Sequence, residues 1–182
     1  MIERTLVVLK PDAVERRLCG QILSMFEESS MRVIAGRIFM PTRELLDRHY
    51  PKSRAYIESL GHKSLNNFAQ NGMDIKAVMG TDDPFEIGGR IRGWLIEYFT
   101  EGRVFAMVLE GNNAIKMARK ICGPTMPMDA APGTIRGRFA VDGADLANSE
   151  NRSLRNLIHA SGDLDEAKYE IELWFGKDYD RA

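Results

Sequence analysis

Residues 5–9, Thr5-Leu6-Val7-Val8-Leu9, form a short β-branched, apolar run that reads as a buried strand. The run stops at Lys10-Pro11-Asp12, because proline lacks an amide hydrogen and disfavours helix at the residue before it. From Gly20 the pattern turns helical, with Ile22, Leu23 and Phe26 on one face and Gln21, Glu27 and Glu28 elsewhere. Residues 31–40 read as a second strand, ended by Pro41. Thr42 is a good N-cap for a helix through Leu45, Leu46 and His49 that Pro51 ends. Residues 103–110 read as a third, mostly buried strand, and a helix with Ile115, Ala118 and Ile121-Cys122 as its apolar stripe follows. The prolines of residues 123–133 make that stretch a loop. Leu157-Ile158 is a short strand candidate, and Leu164, Ala167, Ile171 and Trp174 recur at helical spacing.

Between these elements, residues 52–101 are the least transparent stretch. Two helical pieces are expected there, over 63–71 and 85–99, separated by the turn-like Gly80-Thr81-Asp82-Asp83-Pro84. Strands separated by helices fit a parallel doubly wound sheet, and equally a split β-α-β arrangement with helices on one face of an antiparallel sheet. Periodicity does not choose between them.

The chain has 182 residues, enough for one domain. Hydrophobic residues make up 44% and charged residues 28%, the balance of a folded globular protein. A net charge of -1 leaves no overall surplus for holding a nucleic-acid backbone, so nucleic-acid binding is not expected. No apolar run is long enough to span a bilayer, and residues 1–10 open on charges rather than as a secretion signal. Cys19 and Cys122 have neither disulfide-framework nor zinc-ligand spacing, which fits a reducing cytoplasm.

Familiar phosphate-binding and hydrolase patterns are absent. There is no GxxxxGK[ST], no GxSxG and no HExxH, and Gly88-Gly89-Arg90-Ile91-Arg92-Gly93 lacks the opening of a dinucleotide turn. Any phosphate chemistry must rest on side chains. Of the three histidines, His49 reads as a surface residue at a helix end and His62 as a solvated loop residue. His159 differs, because it follows the apolar Leu157-Ile158 and precedes Ala160-Ser161-Gly162, small residues that let a ligand approach.

The segment 156–161, Asn-Leu-Ile-His-Ala-Ser, followed by Glu170 and by 172–175, Glu-Leu-Trp-Phe, resembles the active-site region of nucleoside diphosphate kinases. Residues 3–14, 106–111 and 132–137 are similar to further blocks of that family, in the family's order and spread over the whole chain. The resemblance implies ping-pong transfer of a γ-phosphate from a nucleoside triphosphate to a nucleoside diphosphate through a phosphohistidine. His159 would be the nucleophile, and Glu170 would hold the ring nitrogen that does not attack. Lys10 would contact the ribose hydroxyl and the transferring phosphate, with Asn156 as its ribose partner. Arg119, Thr125 and Arg136 match phosphate contacts, and an arginine fork can pair two phosphate oxygens at once. Tyr50 resembles the tyrosine near the catalytic histidine, and Ser161 the serine that supports the site. Mg²⁺ would be held mainly by the nucleotide's own phosphates, so no protein metal ligands are expected.

The same resemblance implies an α+β, ferredoxin-like fold: a four-stranded antiparallel sheet covered by helices, in a single domain over 1–182 that assembles as a hexamer or tetramer. The pattern is interrupted by a long insertion at about 52–101, expected as a helical hairpin near the nucleotide cleft, and by a shorter one at about 142–151. The residue expected to stack on the base falls at Ile91, with Trp94 and Phe85 nearby. Ile91, Trp94, Leu95 and Phe99 are spaced as one docking face. Gly162 stands where an acid is usual, and Asp163 is the candidate to replace it. A catalytically silent nucleotide-binding or scaffold relative is the alternative, which the joint presence of His159, Lys10, Arg119 and Arg136 argues against.

Overall fold

The computed structural model describes residues 1–70 and 72–179. Among these, four strands form one antiparallel sheet in the order β2-β3-β1-β4, with β1 at Ile2–Leu9, β2 at Arg32–Phe39, β3 at Val104–Asn112 and β4 at Ile158–Ala160. Of the two topologies the periodicity left open, the sheet is the antiparallel one.

The run at residues 5–9 is apolar without alternation because both faces of β1 are covered. Val7 and Leu9 join Met107 and Leu109 of β3 in a core closed by α2 (Cys19–Glu28), α7 (Ala114–Cys122) and α8 (Ile135–Phe139). Leu6 and Val8 join Ala106 and Val108 in a second core, closed by α3 (Arg43–His49), α6 (Pro84–Thr100) and α10 (Leu164–Phe175). Helices therefore cover two faces rather than the single face of the split arrangement. Pro11 begins α1 (Pro11–Glu15) at a position whose missing amide costs nothing, so β1 ends at Leu9 and Lys10 stands at the C-terminal end of a central strand. Thr42 caps α3 as expected, its hydroxyl accepting from the Leu45 amide at 3.2 Å.

The stretch 52–101 is more helical than its sequence suggests. Its helices are α4 (Arg54–Gln70), α5 (Ile75–Met79) and α6. The first expected piece thus starts nine residues earlier than 63, and its final residue, 71, lies outside the described residues. His62 is exposed as expected, but on a helix rather than in a loop. The expected face of α6 also divides. Leu95 and Phe99 pack into the second sheet core, whereas Ile91 and Trp94 turn to a small separate core of Phe68, Ile75, Met79 and Ile87. Residues 142–151 contain α9 (Ala144–Ser149), tied back by Arg152, whose guanidinium donates to Asp142 Oδ2 at 2.6 Å and Oδ1 at 3.0 Å.

Two glycines let α4 and α6 cross in contact. A Cβ on Gly61 would overlap the Pro84 carbonyl oxygen, and one on Gly88 would overlap the Ile57 carbonyl oxygen. The neighbouring Gly89 has open space around its Cα. Gly61→Ala should therefore destabilise the protein by about 1–3 kcal/mol, as overpacking against backbone does. Gly89→Ala should leave it unchanged or raise its stability by up to about 1 kcal/mol. Thermal melts followed by circular dichroism distinguish the two.

Candidate active site

One cavity of about 890 Å³ runs between α4 and the 123–134 segment, with β4 and α10 as its floor. Lys10, Tyr50, Arg119, Thr125, Arg136, Asn156, His159 and Glu170 all line it. Every one of these was picked out from the sequence, although they are spread over 161 positions. Ser161 lies behind the floor, fully buried.

His159 is placed by pairing with β1, where it stands opposite Val8. The residue before β4, Leu157, adopts a left-handed backbone (φ 69°), so the strand begins at Ile158 rather than at Leu157. Such a conformation in a large residue stores on the order of 1–3 kcal/mol, sustained by surrounding structure. Here the Lys10 amide donates to the Leu157 carbonyl at 2.8 Å, and Leu157 itself is fully buried.

Asp163, the candidate replacement acid, has a different task. Its carboxylate caps α10, accepting from the amides of Asp165 and Glu166 at 2.9 Å each. From that cap the helix runs with Ala167, Glu170, Ile171 and Trp174 on its buried side, while Leu164 remains exposed. Glu170 is thereby delivered beneath His159. His159 Nε2 lies 3.0 Å from both Glu170 oxygens, and the Ser161 hydroxyl donates to Glu170 Oε2 at 2.6 Å. Burial opposes ionisation of Glu170, but the opposing charge and N–H of His159, with the Ser161 hydroxyl, outweigh it and bring the carboxyl down to about 2. An ionised carboxylate accepts, so Nε2 of His159 carries a proton, and in the neutral ring Nδ1 then presents its lone pair.

His49 is the largest departure from the sequence reading. It ends a helix as expected, but its side chain is 1% exposed and its ring meets that of His159 edge-on at 4.7 Å. The apolar Phe99 and Trp174 also pack on it, and no spacing rule reveals that a helix end will be covered by a distant element. Burial first, then the charges of His159 and Lys10, lower its pKa to about 3. Tyr50 packs beside it, with ring centroids 4.5 Å apart. Burial raises the Tyr50 phenol well above its usual range.

In the same cavity, Lys10 Nζ donates to Asn156 Oδ1 at 2.7 Å and stands 4.8 Å from the centre of the Tyr98 ring. Asn156 is anchored in turn, donating from Nδ2 to the Thr125 carbonyl at 3.0 Å. Burial, then the nearby charge of Arg136, lowers the Lys10 pKa to about 7. Arg136 is itself buried. It donates to the carbonyls of Asn156 (3.2 Å), Gly123 (2.6 Å) and Ile158 (2.5 Å), so it clamps three segments of the site together. A guanidinium has five donors, and two remain for a ligand. Arg119 is exposed on α7 and has no ion-pair partner among the described residues. Arg119 and Arg136, with Lys10, therefore give the cavity that His159 lines a cationic wall.

The expected base-stacking candidates do not reach this space. Ile91 and Trp94 pack into the small core, and Phe85 lies under the Arg54 guanidinium at 4.6 Å. Tyr56, Leu60 and Lys63 of α4 line the cavity instead, residues the sequence reading missed. Arg92 of α6 joins this hairpin to the site, donating to the Tyr50 carbonyl at 2.7 Å and to Asp47 Oδ1 at 2.6 Å.

The sequence model described as nucleoside diphosphate kinase matches residues 3–84 and 92–179. The chain belongs to the nucleoside diphosphate kinase family. It is accordingly an enzyme of the phosphotransferase class. The nucleoside diphosphate kinase of Pyrobaculum aerophilum is 44% identical over 174 residues, covering 96% of this chain and 95% of that one. That of Caldanaerobacter subterraneus is 37% identical, covering 96% and 94%. A crystal structure of the Pyrobaculum aerophilum NDP kinase superimposes with a TM-score of 0.91 at 42% identity, over 98% of both chains. The Borrelia burgdorferi nucleoside-diphosphate kinase, solved as a transition-state mimic with bound vanadate and ADP, gives 0.76 at 29% identity, covering 98% of this chain and 89% of that one. No helix among the described residues is long and apolar enough to cross a membrane.

Lys10 yields a direct test of the wall's electrostatics. Its amine should titrate near pH 7, far below the 10.5 of an ordinary lysine, because charging it without a paired anion is costly here. Occupation by a polyphosphate should raise that value, so nucleotide binding should take up a proton above pH 7 and weaken as pH rises. Nitrogen-15 NMR of the lysine side chains, with and without ADP, reads both effects. A Lys10 that titrates with the exposed lysines would refute this.

Proposed function

We propose that this chain transfers the γ-phosphate of a nucleoside triphosphate to a nucleoside diphosphate through a phosphohistidine at His159. The observation that carries the reading is the His159–Glu170–Ser161 array. The proton is held on Nε2, and the Nδ1 lone pair is left for attack in a cavity with a cationic wall. In the first half-reaction, Nδ1 attacks the γ-phosphorus. A P–N bond forms, the P–O bond to the β-phosphate breaks, and its electron pair leaves with the diphosphate. In the second, the terminal oxygen of an acceptor diphosphate attacks phosphorus, and the P–N electrons return to Nδ1. Glu170 balances the positive charge that the ring acquires between these steps.

Lys10, Arg119 and Arg136, with the Thr125 side chain, bind and orient the phosphates; Lys10 and Asn156 take the ribose, and Tyr50 shapes the wall beside the nucleophile. Such catalysis is mostly positioning plus charge stabilisation. The family uses a divalent cation, and we assign Mg²⁺. Glu170 is occupied by His159 and Ser161, and Glu166 accepts from the Gly162 amide at 2.8 Å. Mg²⁺ prefers an all-oxygen octahedron, so nucleotide phosphates and water would hold it rather than a protein carboxylate cage. When bound it would offset phosphate charge.

The family is oligomeric. The open edge of β2, with Ile38 and Met40 half exposed, supports a hexamer or tetramer here. We read residues 1–182 as one domain, with additions at about 52–101 and 142–151. The two unpaired cysteines fit a cytoplasmic setting.

Incubation with labelled ATP and Mg²⁺ should give an acid-labile, base-stable adduct. His159→Gln should abolish it, while His62→Gln should not. Glu170→Gln should slow transfer by roughly 10²-fold, the lower end for orienting and acid–base groups. A label that survives His159→Gln would overturn the assignment. With Tyr56 and Leu60 offering mainly apolar surface to a base, kcat/KM for ADP, GDP, CDP and UDP should differ by no more than roughly 10- to 200-fold. A preference above about 10³-fold would mean a hydrogen-bonding base pocket.

A further inference from the structure

His49 and Trp174 take no part in the transfer just described, yet both are buried against the reacting pair. The Trp174 indole N–H can only donate, and it lies 3.3 Å from His49 Nδ1. A nitrogen that accepts carries no proton, so neutral His49 keeps its hydrogen on Nε2. That Nε2 is buried with no hydrogen-bond partner among the described residues. The same Nδ1 is 3.5 Å from Glu170 Oε1, close enough for a protonated Nδ1 to reach the carboxylate.

We propose that Trp174 fixes His49 as the neutral Nε2–H tautomer, and that His49 so fixed is a positioning residue that leaves Glu170 to His159. The inference rests on His159 being the nucleophile. With a proton on Nδ1, His49 would donate to Glu170, and two imidazoles would share one carboxylate. The bond that keeps the His159 proton on Nε2 would weaken, and His159 could move its proton to Nδ1, hiding the attacking lone pair. A charged His49 would also stand 4.7 Å from a ring that becomes cationic on phosphorylation.

The surroundings oppose that state. His49 is faced by Glu170 and Trp174 from α10, His159 from β4, Lys10 from the end of β1 and Phe99 from α6, with Tyr50 beside it in the chain. Of these Glu170 alone favours the imidazolium, whereas burial, His159 and Lys10 disfavour it. Trp174 adds the directional part, since its N–H occupies the one nitrogen through which His49 could reach Glu170.

Two measurements test this. Nitrogen-15 spectra of the histidines in the wild-type enzyme should show His49 protonated on Nε2 and bare on Nδ1 from about pH 8 to about pH 6, where free histidine titrates. Trp174→Phe keeps an aromatic ring and removes the N–H. In this variant the neutral His49 ring should carry its proton on Nδ1, where it can donate to Glu170. The kcat should then drop roughly 10-fold across this pH range with little change in nucleotide KM, the scale on which groups one layer behind a functional histidine act. That loss should be relieved in the double variant Trp174→Phe, His49→Phe. A wild-type His49 with its proton on Nδ1, or a Trp174→Phe enzyme with the wild-type kcat and the His49 proton still on Nε2, would overturn the proposal. If the variant does not fold, the wild-type spectrum decides alone. Loss of the His159 assignment is read separately, as failure of ATP to label that residue.

Discussion

The carboxylate of Glu170 holds the site in order. It is buried, and a buried charge persists only where donors compensate its lost hydration. Both donors, the His159 ring and the Ser161 hydroxyl, come from one short segment at the edge of the sheet. That segment has three residues of strand, too few to hold a register unaided, and its alignment comes from β1 and from α10 together. The Asp163 cap sets where α10 starts, and the helical period then carries Glu170 and Trp174 onto the same buried side. Removing the carboxylate would therefore disturb both the protonation of a ring and the docking of a helix.

Elsewhere in the cavity lining the opposite electrostatic condition holds. Lys10 and Arg136 are cationic groups taken out of water, with carbonyl, amide and aromatic partners rather than carboxylates. This arrangement is costly without a ligand and favourable with a polyanion. In the proposed transfer it would place stabilisation where phosphate charge arrives, instead of neutralising the wall in advance. Arg136 joins the two functions, because the carbonyls it binds belong to the loop after α7, to Asn156 and to the strand that carries His159.

The sequence revealed the parts of this site whose chemistry is local. The strand at 5–9 is legible because burial on both faces removes alternation, and Lys10-Pro11 because proline must end the strand. His159, Glu170 and Arg136 were legible through the blocks around them. His49 was not, since the rings that cover it, Phe99 and Trp174, lie 50 and 125 positions away. The period of α6 suggested one docking face, but a helix wedged between two cores presents apolar residues to both, and spacing does not tell which neighbour each will meet. Asp163 was misread for a related reason: a carboxylate beside a catalytic loop and a carboxylate before a helix look alike until the helix start is fixed. The first helix of 52–101 was read nine residues short because Gly61 weakens a helical reading, while in three dimensions that glycine, with Gly88, is what allows the helices to touch.

Arg92 has a consequence for how the molecule loosens. The final carbonyls of a helix have no partners within it, and at the end of α3 the carbonyls of Asp47 and Tyr50 accept from this one guanidinium of α6. The same helix end carries His49 and Tyr50. Unfolding of the hairpin would therefore strip the cap from α3, and the catalytic wall would fray in the same event. Amide hydrogens exchange in cooperative units, and this link would place the hairpin and the end of α3 in one of them. The hairpin is thus part of the stability of the chemistry, not a lid hung on an independent domain.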